Sequence, residues 1–388
     1  MGSASLIVLS GVLLVPVVAA IADGGFFFLE GQSAPLAQTR QEVLAAFYHG
    51  SADGLDRATY VLRSRYTGTP AAFAWVVPVP ATPTDVKAHE DGSVFESLDE
   101  QTVPRFTFYG ARVSGFGCSG GGTAGPAGSE EAGLVHVEAS GTAGIFDWTA
   151  LTSTGGNALL DWLNANGFAL SDDAAGVLGT YIQQDMHFLA VRINEPEQVQ
   201  PATDGEIEIP PLQFTCQTTR RFYPMAISRI SAASETEVII YVLADHRTRA
   251  ANVPNAAIDA DDVLYHPESP SLTNYETLFA RTVDELGGQA LITECAQWWS
   301  IGPEWADAPP EVLGRMFLTR LRTVMKRENM DTDFWFRDAA SDDAVWSSFS
   351  VSMTREVSAA GLAGQPLAAM LLFGLLGPVI RSRCPRTK

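Results

Sequence analysis

Side chains that could perform chemistry are scattered along this chain of 388 residues and form no familiar metal-binding spacing. The histidines are His49, His89, His136, His187, His246 and His266. None stands in an HExxH or HxH pair. His136 and His187 lie in apolar segments, LVHVEA and MHFLAV, and are expected in the core. Spacing alone therefore predicts no catalytic residue, although distant residues could converge in the fold.

Asp259, Asp261 and Asp262, with His266 nearby, are the densest cluster of potential metal ligands. Carboxylates at alternate loop positions can bind calcium, but this run lacks the glycine and the distal glutamate of an EF-hand. We interpret it as an acidic loop whose carboxylates cap a helix or a turn. The glycine-rich stretch 115–128 has no GK[ST] and no clear helix to receive a phosphate. No metal and no cofactor are predicted.

Two groups of basic and aromatic residues could contact a ligand. Residues 220–223 read RRFY, which could bind an anion or stack on a ligand, but we favour pairing of the arginines with the abundant acidic residues of the chain itself. Residues 297–305 read QWWSIGPEW. These tryptophans could form a carbohydrate or peptide platform, and we favour core packing for them.

The four cysteines form no CxxC pair, so the sequence indicates no zinc site. Cys216 and Cys295 each lie in a strand-like segment, and we predict a disulfide between them. Cys118 lies in the glycine-rich run and is expected to be free. Cys384 lies in the basic C-terminal tail.

The chain is strongly acidic, with 45 acidic against 25 basic residues and a formal net charge of −20. Long-range attraction to nucleic acid is therefore unfavourable, and no nucleic-acid partner is expected. Hydrophobic residues make up 46% of the chain, which is enough for a large core.

Both ends of the chain are apolar. Residues 359–380 carry no charge, and the basic tail 381–388 follows at once. About 20 apolar residues cross a bilayer as a helix, and flanking arginines mark the cytoplasmic side. Residues 1–22 are interpreted as a signal peptide or an uncleaved N-terminal helix. Residues 23–358 are then an extracytoplasmic domain held at the cell membrane by the transmembrane helix 359–380.

The pattern between the two ends favours an α+β fold, one β-rich domain with a few inserted helices. Helices are predicted at 155–166, after 171–173, at 274–286 and at 310–318. Strands are predicted at 26–28, 56–66, 71–79, 105–111, 134–139, 186–193, 213–217, 225–230, 237–243, 289–293, 318–327 and 334–336. Pro78 and Pro80 indicate that the strand 71–79 ends there or lies at an edge.

Four segments are distinctive: FAWVVPVP, SVFESLDEQTVPRFTFY, WLNANGFALSDDAAGVLGTYIQQDMHFLAVRI and LTRLRTVMKRENMDTDFWF. Together they resemble the bacterial domain-of-unknown-function family 2330 (DUF2330), over about 23–336. The resemblance implies export and one long α+β domain, and it implies no activity. Members often have cysteines around the N-terminal Gly-Gly-Phe-Phe segment, where this chain has Asp23 and Phe28. An N-terminal disulfide or lipid attachment is therefore not expected.

The function that these features favour is a membrane-anchored, non-catalytic protein that binds or scaffolds a partner at the cell envelope. One alternative is an envelope hydrolase with a site assembled from scattered residues. Another is an accessory subunit of a membrane complex, in which 359–380 packs against a membrane-protein partner. The sequence does not identify a small-molecule ligand.

Overall fold

The computed structural model describes residues 25–29, 37–50, 53–67, 74–89, 92–109, 135–170, 173–199, 206–230, 232–302 and 304–354. Helices in these ranges are α1 (Ser93–Thr102), α2 (Gly156–Ala165), α3 (Asp173–Ile182) and α4 (Tyr275–Glu285). The strands are β1 (Gly25–Leu29), β2 (Ala37–His49), β3 (Asp56–Thr67), β4 (Ala74–Val79), β5 (Thr84–Ala88), β6 (Arg105–Tyr109), β7 (Val135–Ala143), β8 (Phe146–Ser153), β9 (Phe168–Ala169), β10 (His187–Ile193), β11 (Ile207–Glu208), β12 (Leu212–Gln217), β13 (Arg221–Tyr223), β14 (Ala232–Ala244), β15 (Thr248–Ala250), β16 (Asn255–Ala256), β17 (Leu291–Ser300), β18 (Arg315–Lys326), β19 (Phe334–Asp338) and β20 (Ser348–Ser352).

Two large sheets organise the fold. The nine-stranded sheet has the order β16-β17-β18-β14-β2-β3-β12-β5, with β11 also pairing with β3. The six-stranded sheet has the order β7-β8-β10-β4-β1-β9. Two small sheets, β13-β19-β15 and β20-β6, lie beside them. Most pairs are antiparallel, but β2 and β14 run parallel in the middle of the nine-stranded sheet.

The two large sheets share the largest apolar cluster. Val43, Ala45 and Phe47 of β2 all belong to it, because every second side chain of a strand points to the same face. Trp75 and Val77 of β4 enter the same cluster from the six-stranded sheet. The core of the protein is therefore a β-sandwich.

Helices cover the outer faces of this sandwich. Leu159 of α2 and Leu178 of α3 pack with Phe188 on the outer face of the six-stranded sheet. Phe95 of α1 packs on the outer face of the nine-stranded sheet. Tyr275 of α4 belongs to a further cluster, which also includes apolar side chains of β6 and β20. The resulting four layers confirm the predicted α+β class.

Buried ion pairs join α1 and α4 to the nine-stranded sheet. Arg320 of β18 donates to Glu294 of β17 at 2.9 Å and to Asp99 of α1 at 2.6 Å. Arg322 donates to Glu276 of α4 at 2.9 Å and to Glu294 at 3.2 Å. The side chains of Arg320 and Glu294 are 3% and 0% exposed. Because an unpaired buried charge is costly, these contacts fix where both helices sit.

The predicted helices 155–166 and 274–286 match α2 and α4 to within one residue. Two predicted elements are wrong. Residues 226–230 form a 3-10 helix rather than a strand, and the Asp333 carboxylate accepts from the first amide, that of Ala226, at 2.9 Å. The predicted helix 310–318 is a turn closed by Val312 N–H to Pro309 at 3.0 Å, and β18 begins at Arg315.

The predicted Cys216–Cys295 disulfide is also wrong, because both cysteines are buried free thiols. Cys216 lies on β12 and Cys295 on β17, with β3, β2, β14 and β18 between them. Neighbouring strands are about 4.8 Å apart, so the two strands are separated by roughly 24 Å. A disulfide needs Cα atoms closer than about 7 Å.

No α-helix in the described ranges combines the length and the apolarity required to cross a membrane. The predicted signal peptide 1–22, anchor 359–380 and tail 381–388 lie outside those ranges, as do Cys118 and Cys384.

Candidate functional site

A cleft of about 550 Å³ opens in the described part of the chain. It opens where β2 ends at His49, β3 begins at Asp56 and β12 ends at Gln217. A smaller hollow of about 150 Å³ shares five of its lining residues and continues it. The cleft is lined by His49, Gly54, Leu55, Asp56, Pro80, Ala81, Gln184, Asp185, Met186, Gln217, Thr218, Thr219, Arg220, Phe222 and Trp335. Its size is in the usual range for a small-molecule site.

Arg220 provides a cation at the aromatic wall of the cleft. Its guanidinium lies over the ring of Trp335, 5.5 Å from the centroid. Trp335 in turn stacks on Phe222, with ring centroids 5.3 Å apart. Within the described ranges no carboxylate forms an ion pair with Arg220, whereas the adjacent Arg221 pairs with Asp338. The cleft thus presents a guanidinium whose hydrogen-bond donors face solvent.

Local hydrogen bonds and strand pairing hold this wall in place. Phe222 of β13 lies opposite Trp335 of β19 in an antiparallel pair. The backbone N–H of Arg220 donates to the Thr218 hydroxyl at 3.1 Å. The Tyr60 hydroxyl, from β3, donates to the Phe222 carbonyl at 2.8 Å and so ties β13 to the large sheet. The wall is therefore supported by buried strands.

The cleft is also lined by a histidine–carboxylate pair. His49 Nδ1 and Asp56 Oδ1 are 2.8 Å apart, and the two side chains are 66% and 67% exposed. A carboxylate can orient an imidazole so that its other nitrogen acts as a general base. No hydroxyl among the described residues contacts that nitrogen. Solvent screens the attraction in such an exposed pair, so its contribution to stability is small.

The turn between α3 and β10 forms part of the rim. Asp185 in this turn has a φ of +56°, in the left-handed region. Aspartate tolerates this region better than most residues do, but still at a cost. The turn brings the backbone back towards the strand, and it lines the cleft together with Gln184 and Met186.

The other histidines are dispersed. His136 is wrongly predicted as a core residue, since its side chain is 75% exposed beside Glu138. His187 was predicted in the core but is only half-buried, and burial lowers its pKa. His246 is exposed, and a hydrogen bond to Asp342 at 2.9 Å raises its pKa. Neither His246 nor His266 meets a nucleophile in the described ranges.

The acidic run behaves as a cap, as predicted. Asp259 Oδ1 accepts from the backbone N–H of Asp261 at 2.9 Å and caps a short 3-10 helix. Within the described residues, no three His, Cys, Asp or Glu side chains are grouped closely enough to hold a metal ion.

The core interpretation holds for two of the three tryptophans in 297–305. Trp299 and Trp305 are 6% and 1% exposed, whereas Trp298 is 43% exposed on β17. The guanidinium of Arg315 lies 4.8 Å from the centroid of the Trp298 ring.

The favoured interpretation of RRFY, pairing with acidic partners within the chain, holds for Arg221, which pairs with Asp338. Most of the residues that line the cleft were not singled out in the sequence. His49 and Asp56 flank the turn between two strands, and the segment around His49 gave no motif. Trp335 belongs to the predicted strand 334–336 and gave no sign of a ligand contact. The segment 49–56, residues 220–223 and Trp335 are each more than a hundred positions apart along the chain and meet only through the sheet order.

Comparison with known proteins adds a family and no activity. Residues 18–337 match the model of a family described as "Uncharacterized protein conserved in bacteria (DUF2330)". No curated protein matches the sequence. Among solved structures, the chain is similar to baculovirus P35, with 10% identity, coverage of 78% of this chain and 98% of that one, and a TM-score of 0.34. A TM-score this low does not establish a common fold.

Proposed function

This chain belongs to the DUF2330 family of bacterial proteins, and we propose that it is an extracytoplasmic binding protein held on the cell membrane by residues 359–380. The uncharged run 359–380 and the basic tail 381–388 support the anchor. The N-terminal apolar stretch supports export of the intervening domain. The protein then acts by binding or scaffolding a partner at the envelope.

The observation that carries the binding role is the cleft with Arg220 on its aromatic wall. Arginine donors in a fixed plane suit carboxylate or phosphate groups, and an aromatic wall suits an apolar body. Phe222 is 1% exposed and supports Trp335 from behind the wall. The proposed ligand is therefore a small molecule that joins an anionic group to an apolar or aromatic one.

Calorimetry with three probes on the full-length protein in lipid nanodiscs tests this role. Phenyl phosphate contains both features, inorganic phosphate only the anion and phenol only the ring. We expect phenyl phosphate to bind at least tenfold more tightly than either of the others. Arg220→Ala should weaken its binding by about 10- to 100-fold, as expected for one charged hydrogen-bonding partner.

Arg315→Ala is the matched control, because Arg315 also lies on a tryptophan but outside the cleft. It should leave binding unchanged. Equal losses in Arg220→Ala and Arg315→Ala, or no binding of phenyl phosphate, would exclude the cleft as this kind of site.

The anchor has its own test. Cell fractionation should find the full chain in membranes and a chain that ends at 358 in the soluble exported fraction. A truncated protein that still pellets with membranes would show that 359–388 is not the anchor.

A hydrolase is the second candidate, favoured by the His49–Asp56 pair in the cleft. Residues 117–121 also read GCSGG, a match to the GxSxG pattern around some serine nucleophiles, and lie outside the described residues. Turnover of a p-nitrophenyl ester that is abolished by His49→Ala and by Ser119→Ala would favour this candidate over simple binding.

A further inference from the structure

We propose that the end of the β6–β20 pair at Tyr109 and Ser352 lies at the lipid headgroups, so that the cleft, at the opposite end of the strands, opens away from the membrane. This orientation rests on the proposed anchor at 359–380. It commits the protein to one occupant of that end, a bilayer surface.

The strand directions separate the two features. β2 and β14 are parallel, β18 is antiparallel to β14, and β17 is antiparallel to β18, so β17 runs in the direction of β2. The cleft lies at the end of the sheet where β2 finishes, at His49. The cleft therefore also lies near the C-terminal end of β17.

The exit of the chain lies at the other end. Val345 forms an antiparallel bridge with Ala296 of β17. The chain therefore runs opposite to β17 at this point, towards the N-terminal end of β17, before β20 begins. Phe349 and Val351 of β20 indeed share an apolar cluster with Ile292, near the start of β17. β14 and β18 are 13 and 12 residues long, so each covers roughly 40 Å at about 3.3 Å per residue. Most of that length separates the cleft from the end of β20.

The chain leaves β20 close to the proposed bilayer surface. β20 ends at Ser352, which is paired with Tyr109, and the Met353 N–H donates to the Tyr109 carbonyl at 3.2 Å. The last described residue is Thr354, five residues before Ala359. At no more than about 3.6 Å per residue, that segment spans at most roughly 18 Å. The end of the β6–β20 pair must therefore stay near the start of the anchor.

The exposed residues of this pair suit the proximity of a lipid headgroup layer. The outward positions of β6 are Arg105, Thr107 and Tyr109, and those of β20 include Ser348 and Ser350. None is a carboxylate, in a chain whose net charge is −20. Tyr109 is 56% exposed at the end that meets the anchor. Tyrosine is enriched at membrane interfaces, and one arginine with several hydroxyls can contact lipid phosphates.

Site-specific quenching in vesicles tests this orientation. The full-length protein, with Cys118 and Cys384 replaced by serine, would receive one new cysteine for a nitrobenzoxadiazole probe. Tyr109→Cys labels the end proposed to face the membrane, and Leu55→Cys labels the cleft rim, where Leu55 is 46% exposed. Vesicles of phosphatidylethanolamine and phosphatidylglycerol would contain a lipid with a nitroxide on its headgroup.

We expect the headgroup nitroxide to reduce the fluorescence of the probe at 109 at least twofold and to leave the probe at 55 unchanged. A second label, Thr107→Cys, lies two residues further from that end and should be quenched less than the probe at 109. Equal quenching at 109 and 55, or quenching at 55 alone, would overturn the orientation while the protein still floats with the vesicles. Failure of the unlabelled full-length protein to float would overturn the anchor itself and the orientation with it.

Discussion

Replacing Arg320 by methionine is expected to destabilise the fold strongly. The guanidinium donates to the carboxylates of Glu294 and Asp99, to the Thr102 hydroxyl at 3.3 Å and to the Tyr241 hydroxyl. Methionine occupies a similar volume but has no N–H to donate. Removing one partner from a buried ion pair costs about 3–5 kcal/mol, mainly because the remaining charge stays buried.

The remaining contacts place the cost near the lower limit of that range. Glu294 keeps Arg322 at 3.2 Å and the Tyr275 hydroxyl at 3.0 Å. Asp99 keeps the Tyr241 hydroxyl at 2.6 Å. We therefore expect a loss of about 3 kcal/mol, which is roughly a 150-fold change in the folding equilibrium. For a domain of this size, the Tm should fall by roughly 5 °C.

Thermal unfolding of the detergent-solubilised full chain, followed by near-ultraviolet circular dichroism, measures this loss. Arg315→Met is the matched control, because Arg315 is exposed at the start of the same strand. It should change the free energy of unfolding by less than about 0.5 kcal/mol.

The pH dependence supplies a second readout. Burial alone would raise the pKa of Asp99, but Arg320 and the other partners outweigh it and lower that pKa. A lowered carboxyl pKa stabilises the fold above the ordinary aspartate pKa of about 3.9, and this stabilisation is lost as the pH falls through the lowered value. The difference in Tm between the wild type and Arg320→Met should therefore narrow in acid. A variant that melts with the wild type near pH 7, or a difference that stays constant into acid, would refute the role given to this network.

Three further predictions concern single groups. Cys216 and Cys295 are each 1% exposed, and burial raises the pKa of both thiols, that of Cys295 to about 11. Both thiols should resist a maleimide in the folded protein and react with it after unfolding without reductant. If the reaction required reductant, the two cysteines would be joined in a disulfide. The pKa of His246 should fall towards its ordinary value in Asp342→Asn, as measured by nuclear magnetic resonance titration, and an unchanged pKa would contradict the pairing. Burial raises the pKa of Asp333, so its contribution to stability is greatest in acid and is lost as the pH rises towards that pKa. Near neutral pH, Asp333→Asn should retain the wild-type Tm because its amide oxygen can accept the same hydrogen bonds, while Asp333→Ala loses about 1–3 kcal/mol in thermal unfolding.

The local spacing of apolar residues was sufficient to predict elements that bury only one face. The apolar positions of α2 and α4 recur at helical spacing, and both helices appear where the pattern predicts them. The strand ending at Pro78 and Pro80 also stops as expected, at Val79. At Pro78 the strand has a partner on one side, β10, because β1 pairs only as far as Val76.

The local sequence pattern did not predict a strand whose structure depends on pairing with a strand on each side. Residues 37–49 are rich in Ala, Gln, Glu and Leu, which favour helix, and no element was predicted there. They form β2, because β14 and β3 pair with both of its edges and apolar clusters cover both of its faces. Such a strand shows no simple alternation, since both faces are buried.

The positions of Arg220 and Arg221 show why the RRFY motif alone does not determine which arginine lines the cleft. Arg220 lies in a bend and lines the cleft of about 550 Å³, whereas Arg221 begins β13 and lines only the smaller hollow. Pairing of β13 with β19 sets Phe222 opposite Trp335, which places Arg220 on the tryptophan and Arg221 beside Asp338. A shift of one residue in that pairing would remove Phe222 from its place opposite Trp335. The choice therefore depends on strand register, a property that two adjacent arginines in a sequence do not determine.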